Sequence, residues 1–349
     1  MTATVPTTMD AVLLTAHGGP EVLEHRRVPV PRPGPDEVLV RVAAAALNNT
    51  DVWTREGAYG LPGPRSGWTG PVAFPRIQGG DVAGRVAATG AEVDDGLLGA
   101  RVLVDPALYA GDGPDTYPAD VLGSERDGGY AQYCVVPASC AHRVDGSPLT
   151  DVELACLPIA YGTALGMVER GAVTRGDTVL VTGASGGVGL AAVQLCAARG
   201  ARVVAVSSTG KTDPVRAAGA DVVLDRRAGP VLDALSEAAP DGVDVAVDVV
   251  AGPTLAGGLD LLRDGGRWVV AGALDGAEVT VDVRRLYLRN RRLVGSTMHT
   301  PAVFERLVGI ARRGEVRPVV AATYPLVEAA GAQRDLEARR HVGKLVLLP

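Results

Sequence analysis

The chain has few cysteines and few aromatic residues, and both shortages narrow the class of protein. Its 349 residues include four cysteines, Cys134, Cys140, Cys156 and Cys196, and no two of them form a CxxC pair. So few thiols in so long a chain do not form a disulfide framework, which favours a reducing cytoplasm. Aromatic residues make up 4% of the chain and hydrophobic residues 47%, so we expect a large and aliphatic core.

Long apolar runs and blocks of basic residues are also missing. No apolar segment reaches the roughly 18 residues of a membrane helix, and residues 1–9 lack the pattern of a signal peptide. We therefore expect a cytoplasmic protein without a membrane partner. The net charge is -6, and the 34 basic residues are scattered, which argues against a nucleic-acid partner.

The first part of the chain has the pattern of a β domain. A chain of 349 residues predicts two domains, at about 150 residues each. Short apolar runs broken by Gly and Pro predict strands at residues 11–14, 37–46, 82–88, 100–104 and 130–136. Strands at this spacing without long helices favour a compact, barrel-like β domain. Two long segments, 60–75 and 105–129, interrupt it and are either lids or ordered surface loops.

The middle of the chain alternates between strands and helices. Apolar strands are predicted at residues 178–182, 202–207, 221–224, 243–249, 266–272 and 291–297. Amphipathic helices are predicted between them, at residues 188–199, 213–218, 230–238 and 254–262. This alternation is typical of a doubly wound parallel sheet that binds a nucleotide. A helix at 303–313 and strands at 319–324 and 344–348 then return to the β domain.

A glycine-rich turn follows the first strand of this α/β part. It reads Gly183-Ala184-Ser185-Gly186-Gly187-Val188-Gly189 and leads into a helix. Glycines let the backbone approach a pyrophosphate, and the helix N-terminus offers it N–H groups and a positive dipole end. The strand before, the helix after and the further βα units favour dinucleotide binding. The alternative is a structural turn in an α/β domain without a nucleotide.

The end of the next strand bears on the choice between NAD and NADP. An acidic residue there would bind the ribose 2′-hydroxyl, but the chain has Ser207, Ser208 and, three residues later, Lys211. Hydroxyl groups and a cation suit a 2′-phosphate, and Arg226 is a further candidate. The sequence therefore predicts NADPH. The alternative for Lys211 is a solvated surface lysine.

Together these segments resemble the medium-chain dehydrogenase/reductase superfamily, and within it the zinc-free quinone oxidoreductases and enoyl reductases. The resemblance depends on the glycine turn and on the residues at 18–23, 33–42, 48–51, 79–84 and 343–347. It implies an α/β protein with a GroES-like β domain, residues 1–147 and 299–349, and an inserted Rossmann domain, residues 148–298. It also implies a homodimer formed through the last Rossmann strand, Leu293 to Thr297.

The resemblance also indicates whether the chain has ligands for a zinc ion. At the three positions where zinc-dependent relatives have their ligands, this chain has Asn48, Gly80 and Ile159. None of these side chains is a zinc ligand, so we expect no metal. The segment 105–129, where relatives hold a structural zinc, contains no cysteine, and Cys134, Cys140 and His142 have the wrong spacing for a zinc finger.

The resemblance suggests roles for several site residues. Asn48 would position the substrate or the nicotinamide, with a turn residue as the alternative. Tyr59 would be the proton donor or an orienting hydroxyl, with a rim aromatic as the alternative. Trp53 and Trp68 would line the substrate pocket. The cofactor would also contact Thr163, Val270, Ala271, Gly272 and Lys344.

The expected activity is transfer of hydride from NADPH to a quinone or an α,β-unsaturated carbonyl compound, with secondary metabolism as one setting. Without a metal, reduction of a conjugated alkene or quinone is easier than reduction of a simple ketone. The turn also fits short-chain dehydrogenases, which need a Tyr four residues before a Lys. Lys211 and Lys344 are preceded at that offset by Ser207 and Arg340, so this alternative fails. A non-enzymatic role for an NADPH-binding member of the superfamily stays open.

Overall fold

The structure is a computed structural model that describes residues 5–58 and 72–349. The chain divides into two compact units, one of Met1–Ile159 with Thr300–Pro349 and one of Ala160–His299. The boundaries expected from the sequence were 147/148 and 298/299. In the structure the second boundary lies one residue later. The first also lies later, because the helix Asp151–Ala155 packs on two strands of the first unit.

Strands β1 to β18 of the described residues follow in chain order. They are Thr8–Leu14, Leu23–Pro29, Glu37–Ala46, Arg76–Ile77, Asp81–Thr89, Arg101–Val104, Ala107–Tyr109, Pro118–Val121, Tyr133–Pro137, Ala141–Arg143, Thr178–Val181, Arg202–Ser207, Val222–Asp225, Val243–Asp248, Leu262–Val270, Arg292–Gly295, Val320–Pro325 and Lys344–Leu348. Helices α1 to α10 of the same residues are Asn49–Glu56, Asp151–Ala155, Pro158–Arg170, Gly187–Ala198, Thr212–Ala217, Val231–Ala238, Gly252–Gly258, Arg284–Tyr287, Pro301–Arg313 and Ala329–Ala338. None of these helices is long and apolar enough to cross a membrane.

The first unit is built mainly from β-sheets. Its largest sheet has the order β10-β6-β5-β3-β18-β17, with β9 also paired to β3. Strand β18 lies antiparallel to β3, with Val346 opposite Ala46, and parallel to β17. The C-terminal strand therefore returns to the first unit, which confirms the predicted insertion. The buried side chains between these strands are mostly aliphatic, as the composition requires.

The segment 105–129 contains regular secondary structure and is not only a long polar loop. It contains strands β7 and β8, which pair antiparallel with Ala107 opposite Val121. Both strands are too short to produce an alternating apolar pattern that the sequence could reveal. Of the other interrupting segment, 60–75, residues 60–71 lie outside the described residues.

The second unit is a six-stranded parallel sheet with the order β13-β12-β11-β14-β15-β16. Strand β11 is buried along its whole length, which is typical of a sheet covered on both faces. The order reverses between β11 and β14, and ligands of doubly wound sheets bind at the carboxyl ends of strands at such a point. The predicted Rossmann fold is therefore confirmed.

Candidate functional site

The glycine turn joins β11 to α4 at the point where the strand order reverses. Gly183 has φ +58°, a left-handed conformation that favours glycine. A Cβ at Gly189 would lie 2.3 Å from the carbonyl oxygen of Gly183, so this close approach needs glycine. Gly186 is exposed, and helix α4 begins at Gly187. Because the first amides of a helix have no intrahelical acceptor, Gly187, Val188 and Gly189 can present N–H groups to an anion.

A buried carboxylate fixes the loops around this turn. Asp248, at the end of β14, accepts hydrogen bonds from Thr182 Oγ1 at 2.5 Å and from Trp268 Nε1 at 2.7 Å. It also accepts from the backbone amides of Val250, at 2.8 Å, and Ala251, at 3.0 Å. Asp248 is fully buried, so these four donors hold the ends of β11, β14 and β15 in register. Asp248 is not among the residues predicted from the sequence, although an acid that ends an apolar strand is a usable signal.

Lys211, Arg226 and Arg227 follow the ends of β12 and β13 and are near enough for their positive charges to interact. Burial lowers the pKa of Lys211, and the positive charges of Arg226 and Arg227 lower that pKa further. Arg226 N donates to the carbonyl oxygen of Ser207 at 2.9 Å, which ties the two strand ends together. The Ser207 hydroxyl is buried and has no hydrogen-bond partner among the described residues. A buried polar atom of this kind needs an explanation, and a bound anion would supply one.

Three further residues predicted to contact the cofactor, Val270, Ala271 and Gly272, lie at the end of β15. Strand β15 ends at Val270, and Ala271 N donates to the Asp248 carbonyl oxygen at 3.0 Å. A Cβ at Gly272 would lie 2.9 Å from the carbonyl oxygen of Val249, so this residue also needs to be small. Thr163 lies elsewhere, buried in helix α3. The other predicted positions, Ser185 and Ser208, are half-buried.

A second group of polar side chains lies buried in the first unit. Asn48 Nδ2 donates to Asp81 Oδ2 at 2.9 Å, and Lys344 Nζ donates to Asn48 Oδ1 at 2.5 Å. Lys344 Nζ also donates to Asp81 Oδ2 at 3.0 Å and to the Leu47 carbonyl oxygen at 2.6 Å. The second oxygen of Asp81 accepts from Ile159 N at 2.7 Å. The charges of this group are therefore paired and hydrogen-bonded.

Asp51 lies beside this group, in the first turn of α1. Its Oδ2 accepts from Asn48 N at 2.7 Å and from the Tyr130 hydroxyl at 2.9 Å. Burial raises the pKa of Asp51 from 3.8 to about 6, although both hydrogen bonds act in the opposite direction. Burial, and then the charge and the hydrogen bond of Asp51, raise the pKa of Tyr130 well above its usual value. Sequence spacing could not reveal this pair, because its members are far apart in the chain.

The structure brings together the three positions at which zinc-dependent relatives have ligands. Asn48 Nδ2 and Ile159 N bind the two oxygens of Asp81, and a Cβ at Gly80 would lie 2.8 Å from Ile159 Cδ1. None of the three has a sulfur, imidazole or carboxylate side chain. In residues 5–58 and 72–349, no three His, Cys, Asp or Glu side chains are grouped to hold a metal ion.

Three predicted pocket residues remain. Trp53 lies in α1, four residues after the first residue of that helix, and is half-buried. Tyr59 and Trp68 lie outside the described residues. Their proposed contacts with substrate stay predictions.

The fold and the glycine turn define a two-domain dehydrogenase or reductase, and comparison with known proteins agrees. A family model described as an alcohol dehydrogenase GroES-like domain matches residues 34–146, and one described as a zinc-binding dehydrogenase matches residues 187–312. The chain is 31% identical to the quinone oxidoreductase of Rattus norvegicus, over 97% of this chain and 98% of that protein.

Two solved structures are also similar. A candidate alcohol dehydrogenase from Sinorhizobium meliloti has a TM-score of 0.92 and 45% identity, covering 99% of this chain and 98% of that one. A 2-octenoyl-CoA carboxylase reductase in complex with NADP and 2-octenoyl-CoA has a TM-score of 0.87 and 30% identity, covering 99% of this chain and 88% of that one. The chain therefore belongs to the medium-chain dehydrogenase/reductase superfamily, in the branch of quinone oxidoreductases and enoyl reductases, and it is an oxidoreductase.

Proposed function

We propose that the protein is an NADPH-dependent reductase that transfers hydride, without zinc, to a quinone or to an α,β-unsaturated carbonyl compound. The observation that carries this proposal is the group of three cations, Lys211, Arg226 and Arg227, beside the ends of β12 and β13. The positive charges of the two arginines act on Lys211, and the buried Ser207 hydroxyl at the end of β12 has no hydrogen-bond partner among the described residues, so a bound anion is favoured here. In a Rossmann fold the ribose of the adenosine half lies at this place.

The residues at this place fit a 2′-phosphate better than a free 2′-hydroxyl. The orphaned Ser207 hydroxyl can donate to a phosphate oxygen, and the cations supply charge-assisted bonds. One acid lies nearby, but Asp225 already accepts from Thr209 Oγ1 at 2.6 Å and from Arg227 N at 2.9 Å. The amides of the glycine turn would hold the pyrophosphate.

The residues do not fit a catalytic zinc. A zinc site needs three protein ligands of the Cys, His, Asp or Glu kind, whereas the positions that converge carry Asn48, Gly80 and Ile159. The neighbouring Asp81 is already bonded to Lys344, Asn48 and Ile159 N. We therefore derive no step through a metal, although one of the matching family models is named for zinc binding.

The proposed reaction needs a hydride donor, a donor for the oxyanion and a proton. NADPH, if held by the glycine turn, would supply the hydride to the β carbon of the enone, and the alkene electron pair would move to the carbonyl oxygen. Asn48 would donate a hydrogen bond to that oxygen and so stabilise the enolate. A proton from water, or from Tyr59, then adds to the α carbon and gives the saturated carbonyl compound.

We also propose a homodimer formed through strand β16. This strand is at the edge of the parallel sheet, and Leu293 on it is 45% exposed. Val283, Tyr287 and Leu288, which precede the strand, are all more than half exposed. An open strand edge beside exposed apolar side chains is a common template for pairing with a second copy.

A cytoplasmic location is the last part of the proposal. All four cysteines are free and buried. Burial raises the pKa of each thiol to about 12, so they stay protonated and inert. Free thiols are typical of a reducing compartment.

The test combines a substrate screen with a variant that removes the charge of Lys211. NADPH consumption is measured with quinones, enones and enoyl thioesters, first for the wild type and then for Lys211→Ala. We expect the variant to lose about tenfold or more in affinity for NADPH and little for NADH, because a charge-assisted phosphate contact is lost. Arg202→Ala is the matched control, since Arg202 begins β12 and lies at its opposite end.

Two results would refute the proposal. An equal loss for NADPH and NADH would remove the case for the 2′-phosphate. Binding of NADPH without turnover of any acceptor would instead support the non-enzymatic role.

A further inference from the structure

All three N–H donors of the Lys344 ammonium are used by acceptors inside the first unit. A lysine ammonium has three donors, and Nζ lies 2.6 Å from the Leu47 carbonyl oxygen, 2.5 Å from Asn48 Oδ1 and 3.0 Å from Asp81 Oδ2. Its side chain is 6% exposed and that of Asp81 is 0% exposed. The Lys344 ammonium therefore has no N–H group left to donate to a phosphate or a substrate. Any effect of Lys344 on catalysis must pass through the groups that it holds.

The neighbours of Asn48 allow its amide only one orientation. The amide oxygen faces the Lys344 ammonium, and the amide nitrogen faces the Asp81 carboxylate. If the amide were reversed, its N–H groups would face the ammonium and its oxygen would face the carboxylate. Both contacts would then be repulsive in a buried site, where an unpaired polar group is costly.

This orientation leaves one specific donor. The amide nitrogen carries two hydrogens, and Asp81 accepts one of them. The second has no partner among the residues that the structure describes, while the amide oxygen is taken by Lys344. Asn48 is 8% exposed, so this second Nδ2 hydrogen is the donor that the amide can offer to a bound group.

We infer that Lys344 and Asp81 are positioning residues that lock the Asn48 amide, so that its second Nδ2 hydrogen is the donor to the oxyanion of the substrate. This inference rests on the proposed reduction of an enone. When hydride from NADPH adds to the β carbon, the alkene electron pair moves to the carbonyl oxygen, and that oxygen accepts from Asn48 Nδ2. A proton from water then completes the product at the α carbon. A donor fixed before the reaction stabilises the transition state without reorganisation.

The experiment compares three changes in one thermodynamic cycle. The double variant Asp81→Asn/Lys344→Gln is neutral and keeps polar side chains, but it removes the two charges that orient the amide. Asn48→Ala removes the amide and leaves the Lys344–Asp81 pair intact. The triple variant combines both. Arg101→Gln/Asp151→Asn is the matched control, because it neutralises another ion pair of the same unit that makes none of these contacts.

We expect Asn48→Ala to lower kcat with an enone by about 100-fold, the loss typical of one oxyanion donor. The Asp81→Asn/Lys344→Gln variant should lower kcat about tenfold or more, and the triple variant should be no slower than Asn48→Ala. KM for NADPH should stay unchanged, and deuterated NADPH should show a larger isotope effect because the hydride step becomes slower. Losses that multiply in the triple variant, or a wild-type kcat in the double variant, would overturn the inference.

A readout without turnover separates this inference from the proposed function. Nitrogen-15 NMR of the Asn48 side-chain amide, assigned through Asn48→Ala, should show two resolved hydrogens in the wild type. In Asp81→Asn/Lys344→Gln they should move toward the values of a solvated amide. If the wild type reduces no acceptor, the proposed function fails while this spectrum still reports on the locked amide. If the spectrum is the same in both proteins, the inference fails whatever the activity.

Discussion

The buried carboxyl group of Asp51 should make the stability of the protein depend on pH in an unusual direction. Its pKa is about 6 in the folded chain and 3.8 in a model peptide. The folded state therefore keeps the proton where the unfolded state has lost it. The contribution of Asp51 to stability is fully present below pH 3.8 and is lost as the pH rises through about 6. Most carboxyl groups, which are paired or exposed, act in the opposite sense.

The size of this effect follows from the two pKa values. One pKa unit corresponds to about 1.4 kcal/mol, so the raised pKa of Asp51 corresponds to about 3 kcal/mol of unfolding free energy. Asp51→Asn removes the ionisation and keeps an oxygen that can accept from Asn48 N and the Tyr130 hydroxyl. We therefore expect the difference in stability between wild type and variant to change by roughly 2–3 kcal/mol between about pH 4 and about pH 7, with the wild type losing stability.

Urea unfolding at several pH values measures this difference directly, because all other titrating groups are common to both proteins. Asp145→Asn is the control of opposite sign. Asp145 is exposed, and its hydrogen bond from Arg101 N lowers its pKa, so its small contribution is lost as the pH falls. If the unfolding free energies of wild type and Asp51→Asn change in parallel with pH, burial does not raise the pKa of the Asp51 carboxyl group, and the reasoning is wrong.

Three further predictions concern the second unit. Gly189→Ala should lower the free energy of unfolding by about 1–3 kcal/mol and weaken NADPH binding, because the new Cβ would lie 2.3 Å from the carbonyl oxygen of Gly183. Gly229→Ala is the control, because a Cβ there would meet open space. Equal effects of the two variants on urea unfolding and cofactor titration would contradict the close approach at Gly189. Arg227→Ala should weaken NADPH about tenfold relative to NADH in fluorescence titrations, whereas an unchanged ratio would exclude it from the phosphate site. Leu293→Asp should give monomers in light scattering if β16 forms the dimer, and a dimer that survives would exclude that edge.

The sheet of the second unit was predictable because strands such as β11 and β12 are largely apolar runs. Strand β12 has the predicted bounds, and so does β3 in the first unit. Strand β2, Leu23–Pro29, was missed because four consecutive residues of it, 24–27, are polar, so no apolar alternation marks it. Helix α1 was missed because Asn48, taken as a possible turn residue, is followed by a short and mostly polar segment.

The candidate site was predictable only where it depends on local spacing. The glycine turn combines a strand, a helix start and glycines within a few residues, and the structure has all three in place. The contacts of Lys344 with Asn48, and of Asp51 with Tyr130, join residues far apart in the chain. No local pattern encodes such pairs, so Lys344 was associated with the cofactor on resemblance alone.

The position of β18 has a consequence for synthesis of the chain. This strand, Lys344–Leu348, is an inner strand of its sheet, between β3 and β17, although it is translated after the whole Rossmann unit. The open edge of β3 must therefore wait on the ribosome while the whole Rossmann unit emerges and can fold by itself. If translation stops before residue 344, the released protein has an exposed edge on β3 and an Asn48 amide that is hydrogen-bonded to Asp81 but no longer to Lys344. Such a protein is a target for chaperones rather than a slow enzyme.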